Sequence, residues 1–203
     1  MRSQPNRNYS SDDRVMTPPW LAKAVVQRLQ PRGVILEPCA GTGNLLAALK
    51  GCGELEWCEI DRGRDFFKYS RSVDWIITNP PWSQFGAFLE HSLRLANNVA
   101  LMATVNHWWT RRRCGLVQRS EFGYRRLLLI DPIPEFPSTG FQLGMMLVSR
   151  NWRGLMHVQR IANPEAPLLH KSRAVDSVHS VDSEDVSDQR QNGATACRRP
   201  LDA

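Results

Sequence analysis

The chain has 203 residues, 42% hydrophobic and 23% charged, enough for one ordinary domain with a buried core and too apolar for a fibrous or wholly disordered protein. No run approaches the roughly 18 apolar residues of a membrane span, and the opening MRSQPNRNYSSDDR holds no apolar stretch to serve as an export signal, so a cytoplasmic protein without a membrane partner is expected. The net charge of +6 is unevenly spread: residues 163–203 carry five Lys/Arg against seven Asp/Glu, or −2, leaving +8 (21 against 13) for the rest.

Short β-branched runs alternate with helical patterns, the signature of α/β layering. Thr17-Pro18 predicts a helix with Thr17 as N-cap and Pro18 at the first helical position, running to Leu29 and stopped by Pro31 and Gly33. Val34 to Leu36 reads as a buried strand, Asn44 to Lys50 as a helix, Leu55 to Ile60 as a second strand and Asp74 to Thr78 as a third. Gly86 to Ala96 is an amphipathic helix with Phe85, Phe88, Leu89, Leu93 and Ala96 on one stripe, and Val99 to Val105 is a fourth strand. Arg126 to Ile130 and Met145 to Ser149 read as two further strands joined by a Pro- and Gly-rich loop. Beyond them the chain has no aromatic residue and no sustained apolar period from residue 163 onward, so it does not repay the entropy of ordering. The expected organisation is a flexible terminus over 1–13, a folded domain over 14–162 and a disordered acidic tail over 163–203, in a monomeric protein.

Two stretches carry chemistry. In Glu37-Pro38-Cys39-Ala40-Gly41-Thr42-Gly43-Asn44 a strand enters a glycine loop and then a helix, which lets a ligand approach the backbone closely. The third glycine of a dinucleotide fingerprint would fall at Leu46, and the acid at Glu37 would repel a pyrophosphate, so a nicotinamide dinucleotide is disfavoured. An acid there suits a ligand with an ammonium group, and Glu59, with Asp61 as the other candidate, can accept both hydrogen bonds of a ribose diol. In Asp74-Trp75-Ile76-Ile77-Thr78-Asn79-Pro80-Pro81-Trp82 a buried strand ends in two prolines, leaving carbonyl oxygens beside an asparagine amide and an indole face: an acceptor site for an amino group on a flat ring.

These residues carry a resemblance. The segment from Glu37 to Gly43 resembles the cofactor loop of class I methyltransferases that use S-adenosyl-L-methionine, and Cys58-Glu59-Ile60-Asp61 resembles their ribose-binding strand end. Asn79-Pro80-Pro81-Trp82 resembles the catalytic motif of the adenine-N6 DNA methyltransferases, of the phage and prophage type. The resemblance runs from Arg14 to Trp152, in family order, and lacks room for the usual target-recognition region. It implies a Rossmann-like fold, with a mainly parallel central sheet, helices on both faces and an antiparallel C-terminal hairpin. The implied cofactor-binding residues are Thr17, Glu37, Cys39, Gly41, Gly43, Glu59, Ile60 on the adenine face, Asp65 at the adenine amino group, and Asn79. The implied catalytic set is Asn79 and Pro80 as acceptors of the target amino group, with Pro81, and Trp82 stacked on a flipped base. The implied activity is transfer of a methyl group to the exocyclic nitrogen of adenine in DNA. An RNA base or a protein glutamine is the alternative acceptor, and an inactive nucleic-acid-binding module the alternative of another class.

Residues 106–126 hold six arginines against one acid and interleave four aromatics, as expected where phosphates are neutralised and bases stacked. Trp108, Trp109, Arg111, Arg112, Arg113 and Arg119 are the candidate nucleic-acid contacts, DNA being the expected partner or RNA in its place; Phe136 or Phe141 is a candidate for the base pocket, and His107 reads as structural. No metal is expected, since the five cysteines (Cys39, Cys52, Cys58, Cys114, Cys197) form no C-x-x-C pair and no histidine stands at ligand spacing.

Overall fold

The structure, a computed structural model, describes residues 13–136 and 140–164. The expected flexible terminus (save Asp13) and all but the first two residues of the expected acidic tail lie outside them. Helix α1 spans Pro19–Leu29, β1 Val34–Glu37, α2 Asn44–Leu49, β2 Glu54–Trp57 and β3 Val73–Thr78. Helix α3 spans Phe85–Leu95, β4 Ala96–Thr104, α4 Arg111–Arg119, β5 Phe122–Ile130, β6 Leu143–Arg150 and β7 His157–Ile161. The seven strands form one sheet in the order β2-β1-β3-β4-β6-β5-β7. Only β6 runs against its neighbours, pairing antiparallel with β4 and β5, whereas β7 adds to β5 in parallel. The result is a Rossmann-like, mainly parallel sheet with the expected antiparallel hairpin, extended by an edge strand that the sequence reading does not contain.

Helices cover both faces because the central strands are apolar on both. On one side Leu21, Val25 and Leu29 of α1 and Leu45 and Leu49 of α2 pack on Ile35, Trp75, Ile77, Ala100 and Met102. On the other, Phe85, Phe88, Leu89 and Leu93 of α3 and Val117 of α4 pack on Leu36, Ile76, Val99, Leu101 and Ala103. Alternate residues of one strand thus enter opposite layers. Helix α3 passes into β4 without a loop: Ala96, the helix C-cap, already has extended backbone and is the first residue of the strand. Two polar residues interrupt this apolar region, Asn98 Nδ2 donating to the Asp74 carbonyl (3.2 Å) and Ser149 Oγ to Asn98 Oδ1 (2.8 Å).

Two expectations need correction. The N-cap of α1 is Pro18, with Pro19 as the first helical residue, and the Thr17 side chain makes no capping bond; it is buried instead. The second strand stops at Trp57, because Glu59 and Arg64 pair their backbones around a one-turn 3-10 segment over Ile60–Arg62. The basic segment is divided among regular elements: Thr110 Oγ1 accepts the Arg113 N–H and caps α4, while Arg125 and Arg126 belong to β5. Among the described residues no helix is long and apolar enough to cross a membrane, and no cluster of side chains suits a metal ion.

Candidate active site

Strands β1 to β4 are mutually parallel, so the turns after them share one edge of the sheet. These turns carry the glycine loop, Glu59, Asn79-Pro80-Pro81-Trp82 and Val105–His107 in that order. A cavity of about 770 Å³ opens among the first three of these turns. It is lined by Thr17, Cys39, Gly41, Glu59, Ile60, Asp65 and Asn79 among the expected cofactor residues, and also by residues 13–16, Arg62, Phe67 and Phe88. Glu37 lies beneath this lining, fully buried at the end of β1.

Glycine is favoured at position 41. Its φ is +50°, and a Cβ there would meet Met16 Sδ at 2.7 Å. Gly43 has φ +87° at the N-cap of α2. The loop is braced from both sides, the Gly41 N–H donating to Glu59 Oε2 (2.6 Å) and Arg62 Nη2 donating to the Gly41 carbonyl (2.9 Å). A carboxylate has about four lone-pair sites, so Glu59 keeps capacity for further donors. Asp65 Oδ1 accepts the Phe67 N–H (2.9 Å), while Ile60, 67% exposed, presents an apolar surface at the cavity.

Glu37 Oε1 accepts the Cys39 N–H (3.0 Å), but Oε2 is buried with no partner, and the Thr78 hydroxyl, also buried, stands outside hydrogen-bond geometry. Burial pushes the Glu37 carboxyl up to about 8; the neighbouring Thr78 and Cys39 groups restrain the rise and the Glu59 charge adds to it. Burial beside Glu37 also raises the Cys39 thiol, which favours its protonated form. Since the folded state holds the Glu37 proton more tightly than the unfolded chain, the stability this contributes is complete below about 4.5 and is lost as pH rises to about 8. Glu37→Gln is accordingly expected to raise the thermal midpoint of the ligand-free protein between those limits and to flatten its pH dependence. Melting curves across that range check this, and superimposable profiles would refute it.

At the end of β3 the Asn79 side chain is oriented by a backbone group: Nδ2 donates to the Val15 carbonyl (3.0 Å). Among the described residues nothing is hydrogen-bonded to Asn79 Oδ1 or to the Pro80 carbonyl. Pro80 is buried, and Pro81 caps a one-turn 3-10 segment over Trp82–Gln84. The Trp82 ring lies outside the cavity lining, its Nε1 donating to the Met102 carbonyl (3.2 Å) and its ring beside His107 and Phe136 at centroid distances of 5.7 and 6.1 Å. His107 is further engaged through Nδ1 with the Thr104 hydroxyl (2.7 Å); burial and the Arg113 charge lower its pKa.

The candidate nucleic-acid contacts separate into two groups. Trp108 is 1% exposed and packs edge-on against Phe85 at 5.2 Å, so it is a core residue and is withdrawn from that set. Arg113 is occupied by the protein, donating to the His107 carbonyl (2.6 Å) and lying 5.0 Å over the Phe85 ring. Trp109, 45% exposed against Tyr124, and the exposed Arg111, Arg112 and Arg119 remain on the surface around α4. Phe141 is exposed and Phe136 buried. The sequence reading misses Asp13, Val15, Met16 and Arg62, which complete the cavity walls; Val15 acts through its own carbonyl and Arg62 on the Gly41 carbonyl, contacts that leave no motif.

No family model matches the sequence, and no curated protein matches it either. Solved structures do match in fold. A class I S-adenosylmethionine-dependent methyltransferase of Listeria monocytogenes aligns with TM-score 0.54 and 13% identity over 76% of this chain and 68% of that one. The 23S rRNA methyltransferase ErmE aligns with TM-score 0.52 and 13% identity over 68% and 72%. A modification subunit of a type I restriction enzyme from Vibrio vulnificus YJ016 aligns with TM-score 0.51 and 13% identity over 78% of this chain, which spans about half (49%) of that subunit. At such identities the likeness is one of fold.

Proposed function

From a chain with the fold of the class I methyltransferases, we propose an enzyme that transfers a methyl group from S-adenosyl-L-methionine to the exocyclic amino nitrogen of adenine in DNA. The observation that carries the reading is the placement of Asn79 on the wall of a glycine-loop cavity, with its amide turned so that Oδ1 and the Pro80 carbonyl are two unengaged acceptors at one turn. The cavity volume falls in the range of small-molecule sites, and a cation brought by a ligand would favour ionisation of the Glu37 carboxyl below the loop, which burial otherwise keeps protonated. Thr17, Cys39, Gly41, Gly43, Glu59, Ile60 and Asp65 surround the cofactor in this reading, Glu59 facing the ribose and Ile60 and Asp65 the adenine.

S-adenosyl-L-methionine held by these residues would supply an electrophilic methyl group on a sulfonium, whose sulfur would become a neutral thioether on giving up the carbon. The amino nitrogen is a poor nucleophile because its lone pair is delocalised into the ring. Asn79 Oδ1 and the Pro80 carbonyl each accept one of its two hydrogens, which draws the nitrogen toward tetrahedral geometry and localises the lone pair. The new nitrogen–carbon bond then forms and the displaced proton leaves to solvent. Positioning and preorganised acceptors are the chain's contributions, and no covalent nucleophile takes part. The half-buried Trp82, anchored to Met102, offers a fixed ring for the flipped base.

The decisive experiment incubates the protein with labelled cofactor and unmodified DNA and maps the methylated positions. Label on adenine is expected; label on RNA or protein with none on DNA adenine would overturn the substrate assignment. Trp109, Arg111, Arg112 and Arg119 form the proposed nucleic-acid surface. Reversing Arg111 and Arg112 to glutamate should weaken binding and reduce the slope of log affinity against log salt by about 1 for each phosphate left without its arginine. Titrations at several salt concentrations test this, and an unchanged slope would count against the surface.

A further inference from the structure

Residues 13–17 lie across both halves of the site. At one end the Thr17 carbonyl accepts from Asn44 Nδ2 (2.9 Å), and Met16 fills the space beside Gly41. At the other, the Val15 carbonyl holds the Asn79 amide, and Asp13 grips Ser83, one residue beyond the catalytic motif. That grip is two-pronged: Asp13 Oδ1 accepts the Ser83 N–H (3.2 Å) and Oδ2 accepts the Ser83 hydroxyl.

An asparagine amide can present either its oxygen or its NH2. Only the oxygen accepts from an amino group, and the Val15 carbonyl selects it by taking the NH2 for itself. Val15 acts through a main-chain atom that no substitution removes, but its carbonyl is held in place two residues from the Asp13 grip. We propose that Asp13 is a positioning residue for Asn79: by clamping Ser83 it keeps the Val15 carbonyl on the Asn79 amide, and so keeps Oδ1 facing the acceptor. The inference rests on the reading of Asn79 as the group that receives the target amino nitrogen. It also accounts for an asparagine here, since an aspartate would set a carboxylate oxygen against the Val15 carbonyl.

The test compares wild type, Asp13→Ala, Asp13→Asn and Ser83→Ala in two readouts. In the first, the Asn79 side-chain NH2 signals are identified in a 15N-labelled protein by their loss in Asn79→Ala. Asp13→Ala should shift them toward the positions of a solvated amide, and Ser83→Ala, which keeps the backbone N–H bond, should shift them less. In the second, kcat should fall about ten- to a hundredfold in Asp13→Ala, the scale set by a small misplacement of a reacting group, with the acceptor KM unchanged and partial recovery in Asp13→Asn. Both residues are exposed, so the variants should fold as wild type does. Unaltered Asn79 signals in Asp13→Ala would overturn the proposal, as would an unaltered kcat. If wild type transfers no methyl group to any substrate, the functional reading fails, and the Asn79 signals alone then decide whether Asp13 holds the amide.

Discussion

Asn79→Ala is expected, on the proposed function, to cut turnover to about a thousandth while the protein still folds and binds its cofactor. The substitution removes Oδ1 from the cavity wall and breaks the bond to the Val15 carbonyl, but leaves the glycine loop, Glu59 and Glu37 intact. Removing one preorganised polar group from beside a reacting atom costs about 10²- to 10³-fold in kcat. In the proposed reaction the effect falls at the upper end, because the Pro80 carbonyl alone would not hold both hydrogens of the amino group. Cofactor affinity, measured by calorimetry, should change only a few-fold. Full retention of activity would remove Asn79 from the mechanism, whereas loss of cofactor binding together with activity would make it a structural part of the cavity.

The second large effect concerns two adjacent tryptophans. Trp108→Ala should destabilise the fold by about 3–5 kcal/mol, the usual cost of emptying a large buried aromatic site. Trp108 packs edge-on against Phe85 and lies near Tyr124, in the layer shared by α3, α4 and β4. Its indole N–H is buried without a partner, so truncation also removes an unsatisfied donor and places the cost toward the lower end. Trp109→Ala should scarcely affect stability, because nearly half of that side chain is exposed, but should weaken single-stranded nucleic-acid binding by about 1–3 kcal/mol if a base stacks on it. Urea unfolding and binding titrations on the two variants separate the roles. Equal stability losses would contradict the assignment of Trp108 to the core and Trp109 to the surface.

This pair also shows where the sequence stops being informative. The strand into Asn79-Pro80-Pro81 and the glycine loop are legible because each needs particular residues: prolines to stop a strand, glycines to hold φ values of +50° and +87°. Which of two neighbouring tryptophans turns inward depends on the 3-10 turn over Val105–His107, whose rotation no residue pattern announces. The start of α1 is displaced by one residue for a similar reason, since Pro18 and Pro19 both suit the first turn and only the backbone decides between them. Strand β7 escapes notice because four of its five residues are exposed and show no alternation. The hold of Val15 on Asn79 is carried by a carbonyl that every residue type possesses, so it exists only in three dimensions.

The passage of α3 directly into β4 bears on fidelity of assembly. A half-buried strand that slips by one position exposes its apolar side to water and is rejected; β4 has apolar residues on both sides, so a slip merely exchanges Val99, Leu101 and Ala103 with Ala100 and Met102. Hydrophobicity is therefore nearly blind to this error. What detects it is Asn98, whose amide meets Asp74 and Ser149 in one alignment alone, together with a junction that has no spare residue to absorb a shift. An inserted or deleted residue near Ala96 would be transmitted along the whole strand to Met102 and Thr104, the partners of Trp82 and His107. Two small polar side chains in the middle of the sheet act as a proofreading mark for a site at its edge.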